Sequence, residues 1–97
     1  MLTDYDLRTL SSNDFQNHYK NDPTLMESLI MRYFSDELLA YCDRMPYYNL
    51  NVDAYKLRDM VFIQLFDELE QSNGALRESV LTKLKRTATV MVMNASA

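Results

Sequence analysis

One glycine and two prolines punctuate a chain of 97 residues. That scarcity constrains the fold more than any other feature. Each β-turn or hairpin draws on Gly, Pro, Asn or Asp to reach its special dihedrals. A sandwich or barrel of many strands would need more of them than are present. The expectation is an all-α fold, a small compact bundle of about four to five helices with short loops. A hydrophobic content of 47% and a charged content of 25% are those of an ordinary globular chain, and the length suits one helical domain over 1–97.

The helix signals follow in order. Thr3 and Asp6 form a capping pattern, which predicts a short helix over 4–10 burying Leu7 and Leu10. Ser11-Ser12-Asn13-Asp14 interrupts, because short polar side chains compete for backbone hydrogen bonds. A second short helix over 13–20 places Phe15 and Tyr19 one turn apart. Asp22 before Pro23 is the strongest start, and apolar residues at three- and four-residue steps from Met26 through Leu29, Ile30, Tyr33, Phe34, Leu38 and Tyr41 carry that helix to about 43. Ser35-Asp36-Glu37 is a place where it could restart. Pro46 stops it and opens the clearest loop, Met45 to Leu50.

Asn51 or Asp53 caps a further helix over 52–72. Its apolar stripe is wide, including Tyr55, Met60, Phe62, Ile63 and Phe66, which predicts the central helix of the bundle. Asn73-Gly74 ends it, with Gly74 in a left-handed position. A last helix over 75–89 turns Leu76, Val80, Leu81, Leu84 and Ala88 inward. The tail beyond Thr87 is rich in β-branched residues, so a short β-like C-terminal tail competes with an extension of the helix.

Most chemistry is set aside by residue type. Cys42 and His18 are the only thiol and the only imidazole, and no nucleophile motif surrounds either; the thiol is expected to pack as a small hydrophobe. One cysteine makes no intramolecular disulfide. Two Cys/His side chains fall short of a structural zinc site, and Asn49-Leu50-Asn51-Val52-Asp53 lacks the glycine and closing glutamate of a calcium loop. One glycine cannot build a phosphate-binding loop. Met26, Met31 and Met60 read as core or near-core, and Asp67, Glu68 and Glu70 as a solvated face. The expectation is a non-enzymatic chain without metal or cofactor. The early acids, Asp4 and Asp6, are unlike a signal peptide, and no apolar run approaches a membrane span, so a soluble cytoplasmic protein without membrane contact is expected.

Charge is uneven within a net −4. Residues 1–50 carry eight acids against four bases, residues 51–74 five against two, and residues 75–97 one acid against four bases. An acidic body disfavours nucleic acid as a partner, although Lys83, Lys85 and Arg86 on the last helix supply a small basic patch for that alternative.

Seven tyrosines and seven methionines point towards protein contacts. Met45, Tyr47, Tyr48 and Leu50 are the expected partner-binding residues. Val90, Met91, Val92 and Met93 are the expected oligomer interface, pairing with a second copy as a homodimer. The leading expectation is a protein–protein interaction module. Short acidic helical chains are common among bacteriophage accessory proteins, inhibitors that occlude a host protein included, and that association alone suggests the inhibitor role. A self-assembling structural component is the remaining alternative.

Overall fold

A computed structural model describes residues 2–45 and 52–96. Five helices follow one another: α1 (Asp4–Thr9), α2 (Ser12–Asn21), α3 (Pro23–Asp43), α4 (Ala54–Ser72) and α5 (Val80–Ser96). Among the described residues there is no strand. The small all-α bundle is therefore what the chain forms.

Side-chain caps set the helix starts. Thr3 Oγ1 accepts from the Asp6 amide at 3.1 Å while Asp6 Oδ2 accepts from the Thr3 amide at 3.0 Å. Asp22 takes the Leu25 amide and Asp53 the Lys56 amide, at 3.1 and 2.8 Å. Each cap satisfies an amide that has no partner within its helix, worth about 1 kcal/mol. Asp53 is thus the cap of α4; Asn51 lies outside the described residues. No break occurs at Ser35-Asp36-Glu37, where α3 runs on without a restart.

The starts and ends of α1, α2 and α4 fall within two residues of the sequence reading, and the two large differences both concern α5. The helix begins at Val80 rather than at 75, because Ser79 caps it: the Thr82 amide donates to Ser79 Oγ at 3.2 Å and the Lys83 amide to the Ser79 carbonyl at 3.0 Å. At the other end the β-like tail is not formed, and 87–93 continue the helix. Thr87 and Thr89 return their hydroxyls to the carbonyls of Lys83 and Lys85, at 2.8 and 3.0 Å. Ala88 and Val92 enter the core. Burial on a helical period outweighs the β preference of the side chains, which is worth only fractions of a kcal/mol per residue.

The core forms where α3, α4 and α5 meet. Ile30, Phe34 and Leu38 of α3, Leu57, Val61 and Leu65 of α4, and Leu84 and Ala88 of α5 are all fully buried. Each large side chain among them contributes roughly 1.5–3 kcal/mol relative to exposure. The central place expected of α4 belongs to α3, which packs against α2, α4 and α5, whereas α4 packs mainly against α3 and α5. The surplus apolar residues of α4 therefore stay uncovered: Tyr55 and Ile63 are each 61% exposed. Met26 is core as expected and Met60 is half-buried, but Met31 is exposed, being on the outer side of α3.

Two local devices tie the periphery down. α1 has six residues, too few to be stable alone. Arg8 fastens it to α3, donating to Asp4 at 2.6 Å, to Glu37 at 2.5 Å and to the Tyr33 carbonyl at 3.4 Å, with its guanidinium 4.7 Å from the Phe34 ring centre. Tyr33 in turn donates to the Leu2 carbonyl at 3.2 Å. At the end of α4, Asn73 and Gly74 both have positive φ, 55° and 85°. The Gly74 amide donates to the Leu69 carbonyl at 2.8 Å and closes the last turn. A Cβ on Gly74 would stand 2.8 Å from Tyr19 Cβ and Cδ1, so glycine is required both for the turn and for the close approach of α2.

Candidate functional site

Three surface features matter, and they differ from one another in chemistry. The first is the stretch expected to bind a partner. Met45 is half-buried and packs against the core. Tyr47, Tyr48 and Leu50 lie outside the described residues.

The second is the cleft between α4 and α5. Gln64, Thr87, Val90, Met91 and Asn94 line a volume of about 270 Å³ there. The four residues expected as an oligomer interface separate by helical geometry. Val90 and Met93, one turn apart, are 46% and 64% exposed, Met91 is half-buried, and Val92 is in the core. Only two of the four thus project freely from the surface.

Adjoining that cleft along the same pair of helices is a larger one of about 480 Å³, and Glu68, Lys83 and Arg86 line both. Lys83 lies 3.1 Å from Glu68 Oε2, an oxygen shut off from solvent, and Arg86 is paired with Glu78. Lys85 stands 5.5 Å from the Tyr41 ring centre. The basic patch of the sequence reading is therefore engaged within the chain, and a phosphate would have to compete with two carboxylates. Glu68 also departs from the solvated face expected for its cluster: it turns towards α5, whereas Asp67 and Glu70 are exposed.

The third feature is a groove of about 310 Å³ between the end of α3 and the start of α4. Asp36, Leu39, Ala40 and Asp43 form one stripe along α3, and Ala54 and Tyr55 of α4 face it. Sequence reasoning missed this groove. Its signal was present in the seven-residue spacing of two acids around Leu39 and Ala40, but only the packing of α4 turns that stripe into a concavity.

The reactive residues are placed apart. Cys42 is fully buried, and burial pushes its thiol up to about 11, with Arg58 pulling weakly the other way. A thiol held protonated in this way is a poor nucleophile at neutral pH. His18 is exposed on α2. Tyr19 is 2% exposed and donates to Glu27 at 3.0 Å; burial and this bond push its phenol up. Among the described residues no group of three or more His, Cys, Asp or Glu side chains could hold a metal ion. Among them, too, no helix is long and apolar enough to cross a membrane.

Comparison of the chain with protein-family models, with curated proteins and with solved structures finds no match.

Proposed function

We propose that this chain is a non-enzymatic docking module that binds another protein and covers part of its surface. The observation that supports the reading is the outward placing of Val90 and Met93 on the flank of the α4–α5 cleft, apolar side chains for which the fold supplies no cover. Methionine, flexible and polarizable, adapts its shape to a partner, and such residues beside a cleft suit a contact that closes over them. Tyr47 and Tyr48, with Met45 and Leu50, form the expected first contact. Val90 and Met93 form the second, with a further copy of the chain as its expected occupant. Occlusion of a host protein, in the manner of a bacteriophage accessory inhibitor, is the finer form of the same reading. Lys83 and Arg86 are already paired with carboxylates and Lys85 stands near the Tyr41 ring, so nothing in their geometry favours the nucleic-acid alternative.

The test is affinity capture from source- or host-cell lysate, with nuclease added to half. The wild type is compared with Tyr47→Ala/Tyr48→Ala and with Val90→Ser/Met93→Ser. The expected result is a discrete protein that survives nuclease and is lost with the tyrosine pair. A catch that vanishes with nuclease, or one indifferent to both double variants, overturns the reading. Light scattering checks the homotypic contact separately: the wild-type mass rises with concentration and that of Val90→Ser/Met93→Ser does not.

A further inference from the structure

The groove between α3 and α4 carries charge that the fold leaves unanswered. Asp36 and Asp43 are both exposed, and among the described residues neither has an ion-pair partner. Their neighbour Glu37 is taken by Arg8 on the other side of α3, so the helix sorts its acids by face. Between the two free carboxylates lie Leu39 and Ala40, and opposite them Tyr55 exposes 61% of its surface. Arg58 occupies one side of that ring, 5.5 Å from its centre, and is directed to Asp59. Among the described residues the lining of the groove itself holds two carboxylates and no cation.

Spacing makes the feature specific. Seven residues on a helix advance about 10 Å and return to nearly the same face. A second helix lying along the groove meets Asp36 and Asp43 if it carries two cations seven residues apart. Ala40 leaves room for its backbone to approach, and Leu39 and Tyr55 supply the apolar contact. Charge-assisted pairs of this kind set register and select the partner more than they add raw affinity.

We propose that the α3–α4 groove is the docking site for a basic amphipathic helix of a partner protein, bearing Lys or Arg at positions i and i+7 that pair with Asp36 and Asp43. The proposal rests on the docking function above and names the chemistry of the partner. A second copy of this chain does not fit the register, because no two of its Lys or Arg residues stand seven apart.

The experiment uses the full chain and a fluorescent 16-residue Ala/Leu helix with arginines at i and i+7 and leucines at i+3 and i+4. The control peptide has the same composition, with arginines at i and i+5, which puts them about 140° apart around the helix. Anisotropy titrations at 50 mM salt are expected to show at least tenfold tighter binding of the first peptide. Asp36→Asn/Asp43→Asn should remove that preference. Ala40→Arg, which fills the groove with the protein's own cation, should abolish binding, with circular dichroism confirming that both variants are folded. Equal binding of the two peptides marks non-specific attraction and overturns the proposal, as does wild-type affinity in either variant. If the captured partner is retained by Asp36→Asn/Asp43→Asn, this groove is wrong while the docking function stands; if nothing is captured at all, the broader reading fails first.

Discussion

Replacing Gly74 by alanine tests the structure at its tightest point. Two costs add. An L-residue in the left-handed region costs about 1–2 kcal/mol, and Gly74 sits there with φ of 85°. The new methyl would also stand 2.8 Å from Tyr19 Cβ, an atom fixed to the backbone of α2 rather than the free end of a side chain. Relief requires α2 or the turn to shift, and overpacking of this kind costs about 1–3 kcal/mol. The middle of the combined range is about 3.5 kcal/mol, which for a domain of this size lowers Tm by roughly 14–28 °C. Urea unfolding followed by far-ultraviolet circular dichroism measures it as a fall in the midpoint at constant slope. Asn73→Gly is the control. It shares the left-handed backbone, with φ of 55°, but gains freedom, so it should leave stability unchanged or slightly raised. Should Gly74→Ala lie within 0.5 kcal/mol of wild type, the close approach of α2 to the turn would be refuted.

Other perturbations separate the remaining forces. Arg8→Ala should speed amide hydrogen exchange in α1 selectively and cost only about 1–2 kcal/mol overall, because its ion pairs are partly exposed and screened; uniform acceleration across all helices would contradict the fastening role. Tyr41→Phe removes a 2.8 Å hydrogen bond to Thr89 and should cost about 1 kcal/mol in chemical denaturation; a loss above 3 kcal/mol would require another contact. Cys42 has a folded pKa raised above its ordinary 9.0 to about 11, so its stabilising contribution is complete below pH 9 and is lost as pH rises through 11. The stability profile of Cys42→Ala between pH 9 and 11 should therefore be flatter than that of the wild type, and parallel profiles would refute the link. Iodoacetamide should label Cys42 at pH 7.5 only after denaturant is added, as mass spectrometry would show.

Local signals made most of the fold legible. Thr3, Asp22 and Asp53 announce helix starts because a side-chain oxygen two or three residues before free amides acts within the segment itself. Gly74 announces an end for the same local reason. Ser79 gave an equally valid start signal, masked by the apolar Leu76 ahead of it. The fate of Thr89 to Met93 was not legible locally, since it depends on whether α3 and α4 offer a surface for Ala88 and Val92. The candidate surfaces were harder still. Val90, Met91, Val92 and Met93 read as one apolar run, but a helix distributes consecutive residues around its axis and leaves only Val90 and Met93 outside. The Asp36–Asp43 stripe became a groove only through the packing of Ala54 and Tyr55, a relation between residues far apart in the chain.

The composition of α5 has a kinetic consequence. Residues 87–93, Thr-Ala-Thr-Val-Met-Val-Met, contain no charge, proline or glycine and are rich in β-branched side chains. Their helix is held by burial in the bundle, so it disappears when the bundle opens. The released segment then has the composition of a cross-β former. Refolding is a race between a first-order docking of α5 and a higher-order association of exposed tails. Its yield should fall as protein concentration rises, and a lysine in place of Val90, outside the core, should protect it.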